Sequence, residues 1–300
     1  MLADLQSTAL NYRLSSVSEP ITTRDGLAVY TMGTGEPLLL FPSPHGMTLH
    51  STADSPLTQI LARMDRRVIT FDPPGAYRST RPARLDMNEM MECAHLALEI
   101  CRVKGNIDVI GHGMGAQCAL AMAIEYPRSV NRLILINAAS GPTSIHRNHG
   151  IPWYWSITSR TFWKWVRLSL IVRAGHGSLA SHKQLVRLTR HASFYDKSLI
   201  PDIPIHQDDF RRPAPLRNLW NRTSRQVDYS NRLGRVWSQT LVCAGRHDPQ
   251  TPPGCSQELA AGIPFARQVM FERSGHYPYI EEPHRFEQEL IDFFSENSPT

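Results

Sequence analysis

The chain has 300 residues, 41% hydrophobic and 20% charged, so it is too long for a stapled miniprotein and too apolar for a disordered segment. Its net charge of +5 is weak grounds for a polyanionic partner, and no run of eighteen apolar residues is present to cross a membrane. Cys93, Cys101, Cys118, Cys243 and Cys255 are odd in number, widely spaced and without a C-x-x-C pair, which argues against a disulfide framework and a zinc site and points to reduced, mostly packed thiols.

The N-terminus, Met1-Leu2-Ala3-Asp4-Leu5-Gln6, lacks the basic and apolar regions of a secretory signal, so a cytoplasmic location is expected. Residues 1–20 are mixed and polar and are expected to lie on the body as an extension. Leu27 to Thr31 and Pro37 to Phe41 read as strands, the second a continuous apolar run ended by Pro42-Ser43-Pro44-His45-Gly46. Runs without alternation mark strands buried on both faces, and the pattern returns at Arg67 to Phe71, Ile107 to Ile110, Leu133 to Ile136 and Thr240 to Ala244. Helix-length segments between several of them predict an α/β fold, a mostly parallel sheet flanked by helices. Asn88 to Val103 and Ala116 to Tyr126 are the clearest helices. The second is stopped by Pro127, and its small residues Ala116, Ala119, Ala121 and Ala123 allow close packing on the sheet.

Charge divides the chain unevenly. Residues 141–235 hold 16 Lys or Arg against 5 Asp and no Glu, a balance of +11, while the remainder is −6. Five of the six tryptophans, Trp153, Trp155, Trp163, Trp165 and Trp220, fall in the same segment. It reads as an inserted helical module, 141–235, on a body formed by 1–140 and 236–300. Within it, Ile157 to Arg173 reads as a helix with Arg160, Lys164 and Arg167 on one face and Phe162, Trp163, Trp165, Val166 and Leu170 elsewhere, expected to pack inward. A basic amphipathic helix is also compatible with a membrane surface or an acidic partner, although membrane contact is not the expectation here. No nucleic-acid motif accompanies the basic excess, so nucleic acid is not an expected partner.

The most informative stretch is Asp108-Val109-Ile110-Gly111-His112-Gly113-Met114-Gly115-Ala116-Gln117, a buried strand entering a glycine-rich turn that opens into a helix. It has the form of a nucleophile elbow, G-x-S-x-G, with Gly113 at the central position. Glycine-rich strand-to-helix turns also bind dinucleotide phosphates, so this motif alone does not decide. Downstream, Leu241-Val242-Cys243-Ala244-Gly245-Arg246-His247-Asp248-Pro249 leads into Thr251-Pro252-Pro253, and Ser274-Gly275-His276 is followed by Tyr277 and Glu281-Glu282-Pro283.

With these loops in the order nucleophile, acid, histidine, the chain resembles the α/β-hydrolase family, and within it the cap-bearing serine hydrolases that include prolyl iminopeptidase-like enzymes, esterases and lactonases. The resemblance spans roughly residues 25–140 and 236–295, and includes the segment Arg67 to Gly75 before the elbow helix. It implies an α/β-hydrolase fold with an inserted cap and no metal or organic cofactor. Asp248 would orient His276, and His276 would act as general base. Met114 N–H and Ser43 N–H would serve as oxyanion donors, since Pro42 and Pro44 have none. Trp153, Trp155 and Trp163 would line the substrate pocket, and Asp72 would be structural.

The implied activity is hydrolysis of an ester, lactone or amide of a moderately hydrophobic small molecule. The absence of Glu from 141–235 disfavours an aminopeptidase, which would hold a substrate ammonium with cap carboxylates. Gly113 departs from the family pattern, because it has no side chain to attack with. Four readings stay open at this point: a serine hydrolase inactivated by a Ser-to-Gly change, direct activation of water by His276 and Asp248, a ligand-binding pseudohydrolase, and a non-hydrolytic lyase or cyclase using the same pair.

Overall fold

The computed structural model describes residues 19–43, 51–84, 86–151, 154–174, 176–200 and 227–296. The expected N-terminal extension through residue 18, the His45-Gly46 pair, Trp153 and Trp220 lie outside them.

Among the described residues the sheet has eight strands: β1 (Ile21–Thr22), β2 (Ala28–Met32), β3 (Glu36–Phe41), β4 (Arg66–Phe71), β5 (Ile107–His112), β6 (Val130–Ile136), β7 (Gln239–Gly245) and β8 (Ala266–Phe271). Their spatial order is β1-β2-β4-β3-β5-β6-β7-β8. β1 and β2 pair antiparallel, β2 pairs antiparallel with β4, and every pairing from β4 to β8 is parallel. The parallel strands therefore present their C-terminal ends along one edge, where an open α/β sheet builds its sites.

The unalternating apolar runs have a direct cause. Leu39 and Phe41 of β3 join one hydrophobic cluster with α2 (Met87–Ile100) and α3 (Met114–Glu125). Leu38 and Leu40 join the other, with α1 (Pro56–Arg63) and the C-terminal helix Pro283–Ser295. Successive side chains point to opposite faces of a strand, so a strand covered on both faces needs apolar residues at every position. All five cysteines are buried.

The helix expected over Asn88 to Val103 stops at Ile100. Arg102 adopts a left-handed φ of 54°, and the amides of Arg102 and Val103 bond back to the carbonyls of Glu99 and Leu98, a Schellman-type ending without its usual glycine. α3 starts at Met114, two residues earlier than its small-residue pattern suggested, because Gly113 serves as its N-cap.

Between β6 and β7 come α4 (Pro142–Arg147), α5 (Arg160–Arg173) and α6 (Leu179–Ser193). α5 begins at Arg160 rather than Ile157, because the Ser159 hydroxyl accepts the Thr161 N–H. The inward packing expected of Trp163 and Leu170 is not observed. They are 57% and 61% exposed and share the solvent side with Arg160, Lys164 and Arg167, while Leu168 and Ser169 are buried. Three further helices, α7 (Pro253–Gly262), α8 (Pro278–Glu281) and α9 (Pro283–Ser295), complete the described chain. No described helix is long and apolar enough to cross a membrane.

Asp72, at the end of β4, is fully buried and accepts hydrogen bonds from Tyr30 Oη (2.7 Å), Ser51 Oγ (2.5 Å) and the Arg78 amide (3.0 Å). Asp108 of β5 is 4% exposed and gathers Arg66 at 3.0 Å, Arg132 at 3.6 Å and the Asn131 amide at 2.7 Å. Removing the carboxylate with Asp108→Ala strands two largely buried guanidinium groups. The expected loss is about 3 kcal/mol, read as a lower urea midpoint with unchanged slope.

Candidate active site

The elbow is built by close approach of backbone. A Cβ on Gly111 would lie 2.3 Å from the Gly115 carbonyl oxygen, and one on Gly115 would lie 2.5 Å from that of Phe41. Those two glycines allow β5, α3 and the end of β3 to meet. Gly113 differs from them. Its φ is +56°, its N–H donates to the Ile136 carbonyl at 2.9 Å, and a Cβ there would have within 4 Å only the His276 ring, Nε2 at 3.2 Å and Cε1 at 3.6 Å. The space above Gly113 is therefore bounded by the imidazole.

Two loops deliver the partners. After β7, Asp248 is 3% exposed. Its Oδ2 accepts His276 Nδ1–H at 2.7 Å and the Thr251 hydroxyl at 2.6 Å, and its Oδ1 accepts the Gln250 amide at 2.8 Å. A carboxylate only accepts, so His276 carries its proton on Nδ1 and its Nε2 lone pair faces Gly113.

His276 is fixed by its backbone as well. Its N–H donates to the Ser193 carbonyl at the end of α6 (2.6 Å), and its carbonyl accepts from His112 Nε2 at 2.7 Å. Glu281 accepts the Gly275 amide at 2.6 Å through Oε2 and the amides of Tyr195 and Asp196 through Oε1, tying the histidine loop to the segment after α6. Burial raises the Glu281 carboxyl above its usual range against the pull of these donors.

Asn137, directly after β6, links the loops at their base. It holds a left-handed φ of 45°, its Oδ1 accepts the Gly245 amide (3.0 Å), and its Nδ2 donates to the Gly275 carbonyl (2.9 Å). Sequence reasoning gave no role to Asn137, Ser193 or His112. The available signal for Asn137 was an Asn immediately after a buried strand, a residue type that tolerates the left-handed region.

The His112 ring lies 4.5 Å from that of His276 and is enclosed by Tyr277 and Tyr279. Burial, and then the neighbouring His276, hold its pKa well below the usual imidazole value. His112 is thus neutral, donating through Nε2.

Met114 is the first residue of α3, where the N–H has no carbonyl one turn back, and Ser43 lies two residues beyond β3, half-buried. Trp155 packs on Tyr154 and Trp165, at ring distances of 5.5 and 5.7 Å. Trp163 sits on the outer side of α5 against Phe162, so it is corrected from a pocket-lining residue to a surface one. A cleft of about 500 Å³ opens beside the acid loop, lined among others by His149, Tyr154, Phe194, Lys197 and Asp248. Among the described residues no group of three or more His, Cys, Asp or Glu is arranged to hold a metal ion.

Residues 37–283 match the family model of the alpha/beta hydrolase fold. A 2-hydroxymuconate semialdehyde hydrolase of Pseudomonas putida is 28% identical over 289 residues, covering 89% of this chain and 90% of that protein. A pimeloyl-[acyl-carrier protein] methyl ester esterase of Nitrosomonas europaea is 24% identical, covering 86% and 95%. Among solved structures, an alpha/beta fold family hydrolase from Bacillus anthracis superposes with a TM-score of 0.72 at 21% identity, over 91% of this chain and 98% of that one. The enol-lactonase of Burkholderia xenovorans gives 0.66 at 18%, over 90% and 96%. At these identities the two structures speak for the fold.

The geometry yields two expectations. Gly111→Ala and Gly115→Ala drive a Cβ into backbone carbonyl groups and should each cost about 1–3 kcal/mol, whereas Gly113→Ser meets only the His276 ring and carries the strain of its left-handed φ, about 1–3 kcal/mol; urea denaturation of the three variants reads each loss. His112 has a lowered folded pKa, so its unfolded form binds a proton that the native form refuses. Its contribution to stability is present above the unfolded value of about 6.5 and is lost as pH falls below it. His112→Gln should flatten the fall in the urea midpoint between about pH 7 and pH 5.

Proposed function

We propose, from the premise that this chain belongs to the α/β-hydrolase fold family and is of the hydrolase class, that it acts on the ester, lactone or amide bond of a moderately hydrophobic small molecule. The observation that carries the reading is the alignment of His276 Nε2 on the position of a missing side chain: a Cβ at Gly113 would lie 3.2 Å from it, with the opposite ring nitrogen on Asp248. A hydroxyl at that position would be activated by the imidazole, as in a Ser-His-Asp site. In this chain the position holds glycine, so no acyl-enzyme can form there.

What the site offers is a general base facing Gly113 and a dipolar helix start. Nε2 takes a proton from water, and the resulting hydroxide adds to the substrate carbonyl. The oxyanion is held by the N–H groups of Met114 and Ser43, and the imidazolium returns its proton to the leaving oxygen or nitrogen as the tetrahedral intermediate collapses. Asp248 stabilises the imidazolium without accepting the proton. The segment 141–235 acts as a cap, with Trp155 toward the substrate. The hydrolase, esterase and lactonase names of the relatives agree with carbonyl chemistry on small molecules. A ligand-binding role without turnover is the second reading, and Gly113 itself favours it.

Hydrolysis of a panel of nitrophenyl esters and lactones by this chain and by Gly113→Ser separates the two. A gain of several orders of magnitude, within the ~10⁶-fold associated with losing a triad nucleophile, is expected on adding the hydroxyl, and His276→Ala should abolish it. Equal, negligible rates in both proteins would refute hydrolysis and leave the binding role.

A further inference from the structure

α5 carries a surface that the chemistry at His276 does not use. Arg160, Trp163, Lys164, Arg167 and Leu170 recur at steps of three and four residues and are all exposed. At about 100° per residue they span an arc of about 120°. Trp163 and Leu170 lie two turns apart along one edge, and the three cations fill the rest. The other side of the helix, with buried Leu168 and Ser169, packs against α6. Just before the Ser159 cap, Ile157 is 65% exposed and Tyr154 48%. Neither α5 nor α6 contains an Asp or Glu, so no carboxylate of these helices offsets the charge.

An exposed indole and leucine beside a row of long cations form a surface that complements something both apolar and anionic. The pattern is that of a helix lying in a lipid interface, where an aromatic ring rests at the headgroup level and cationic side chains extend to the phosphates. We propose that this arc of α5 docks on an anionic lipid surface, with Trp163 and Leu170 at the acyl boundary and Arg160, Lys164 and Arg167 at the phosphate level. This takes up the alternative that the sequence left open but did not favour, and it goes beyond the hydrolytic reading without depending on Gly113.

The test is flotation of the full chain with vesicles of phosphatidylcholine alone or mixed with phosphatidylglycerol. Binding to the anionic vesicles is expected, weakened by salt and slight on the neutral ones. Each of Arg160→Gln, Lys164→Gln and Arg167→Gln should lower the partition coefficient about fivefold. Trp163→Ala with Leu170→Ala should lower it more than tenfold, with unchanged circular dichroism and melting. Lipids brominated in the acyl chain should quench tryptophan emission of the full chain, and the conservative Trp163→Phe should remove most of that quenching, a readout that survives if the double variant folds poorly. Absence of binding, binding insensitive to the Trp163 and Leu170 changes, or capture by soluble polyglutamate while vesicles are ignored would each overturn the proposal, the last in favour of an acidic protein.

Discussion

The hydrogen bond from His276 Nδ1 to Asp248 Oδ2, 2.7 Å long and shielded from water, joins two loops whose residues are 28 apart in sequence, and the site depends on it. It fixes the imidazole tautomer and with it the direction of the Nε2 lone pair. Each partner is held from a different part of the fold: Asp248 by Thr251 and Gln250, and His276 by Ser193 and His112. Asn137 spans both loops at their base, so β6, β7 and β8 hand their geometry to the pair through one amide side chain.

Those contacts also couple the site to the segment between β6 and β7. Ser193 ends α6 and touches the backbone of His276, its hydroxyl accepts from Gln250, and Glu281 binds the amides of Tyr195, Asp196 and Gly275. The segment is thus anchored at the histidine loop. The C-terminal end of α6 bonds directly to the backbone of the catalytic-position histidine.

The sheet and the Asp248, His276 and Gly113 positions were legible because their causes are local in sequence: apolar runs for doubly covered strands, glycines at the turn, and an acid and a histidine each just past a strand. α1, α6 and α9 were not singled out, since their apolar positions are fewer and their caps lie in loops that read as irregular. Asn137 and Ser193 act through backbone groups brought together only by the crossovers between strands, and no spacing encodes that. The outward turn of Trp163 and Leu170 escaped for a related reason. The sequence shows that a helix has two unlike sides, and here the hydrophobic residues are shared between both, so which side faces α6 is settled by tertiary packing.

The positive φ at Gly113 has a consequence for how such a chain changes over generations. That backbone conformation suits glycine and is strained for any residue with a Cβ, by about 1–3 kcal/mol at sites of this kind. A serine there would be kept only while selection rewarded what its hydroxyl accomplished. Once that reward lapsed, replacement by glycine would release strain and raise the stability of the fold, and the reverse step would have to be taken uphill. Drift at this single codon is therefore directional, running from attacking group to empty turn, and a lineage holding glycine here carries a thermodynamic bias against recovering its nucleophile.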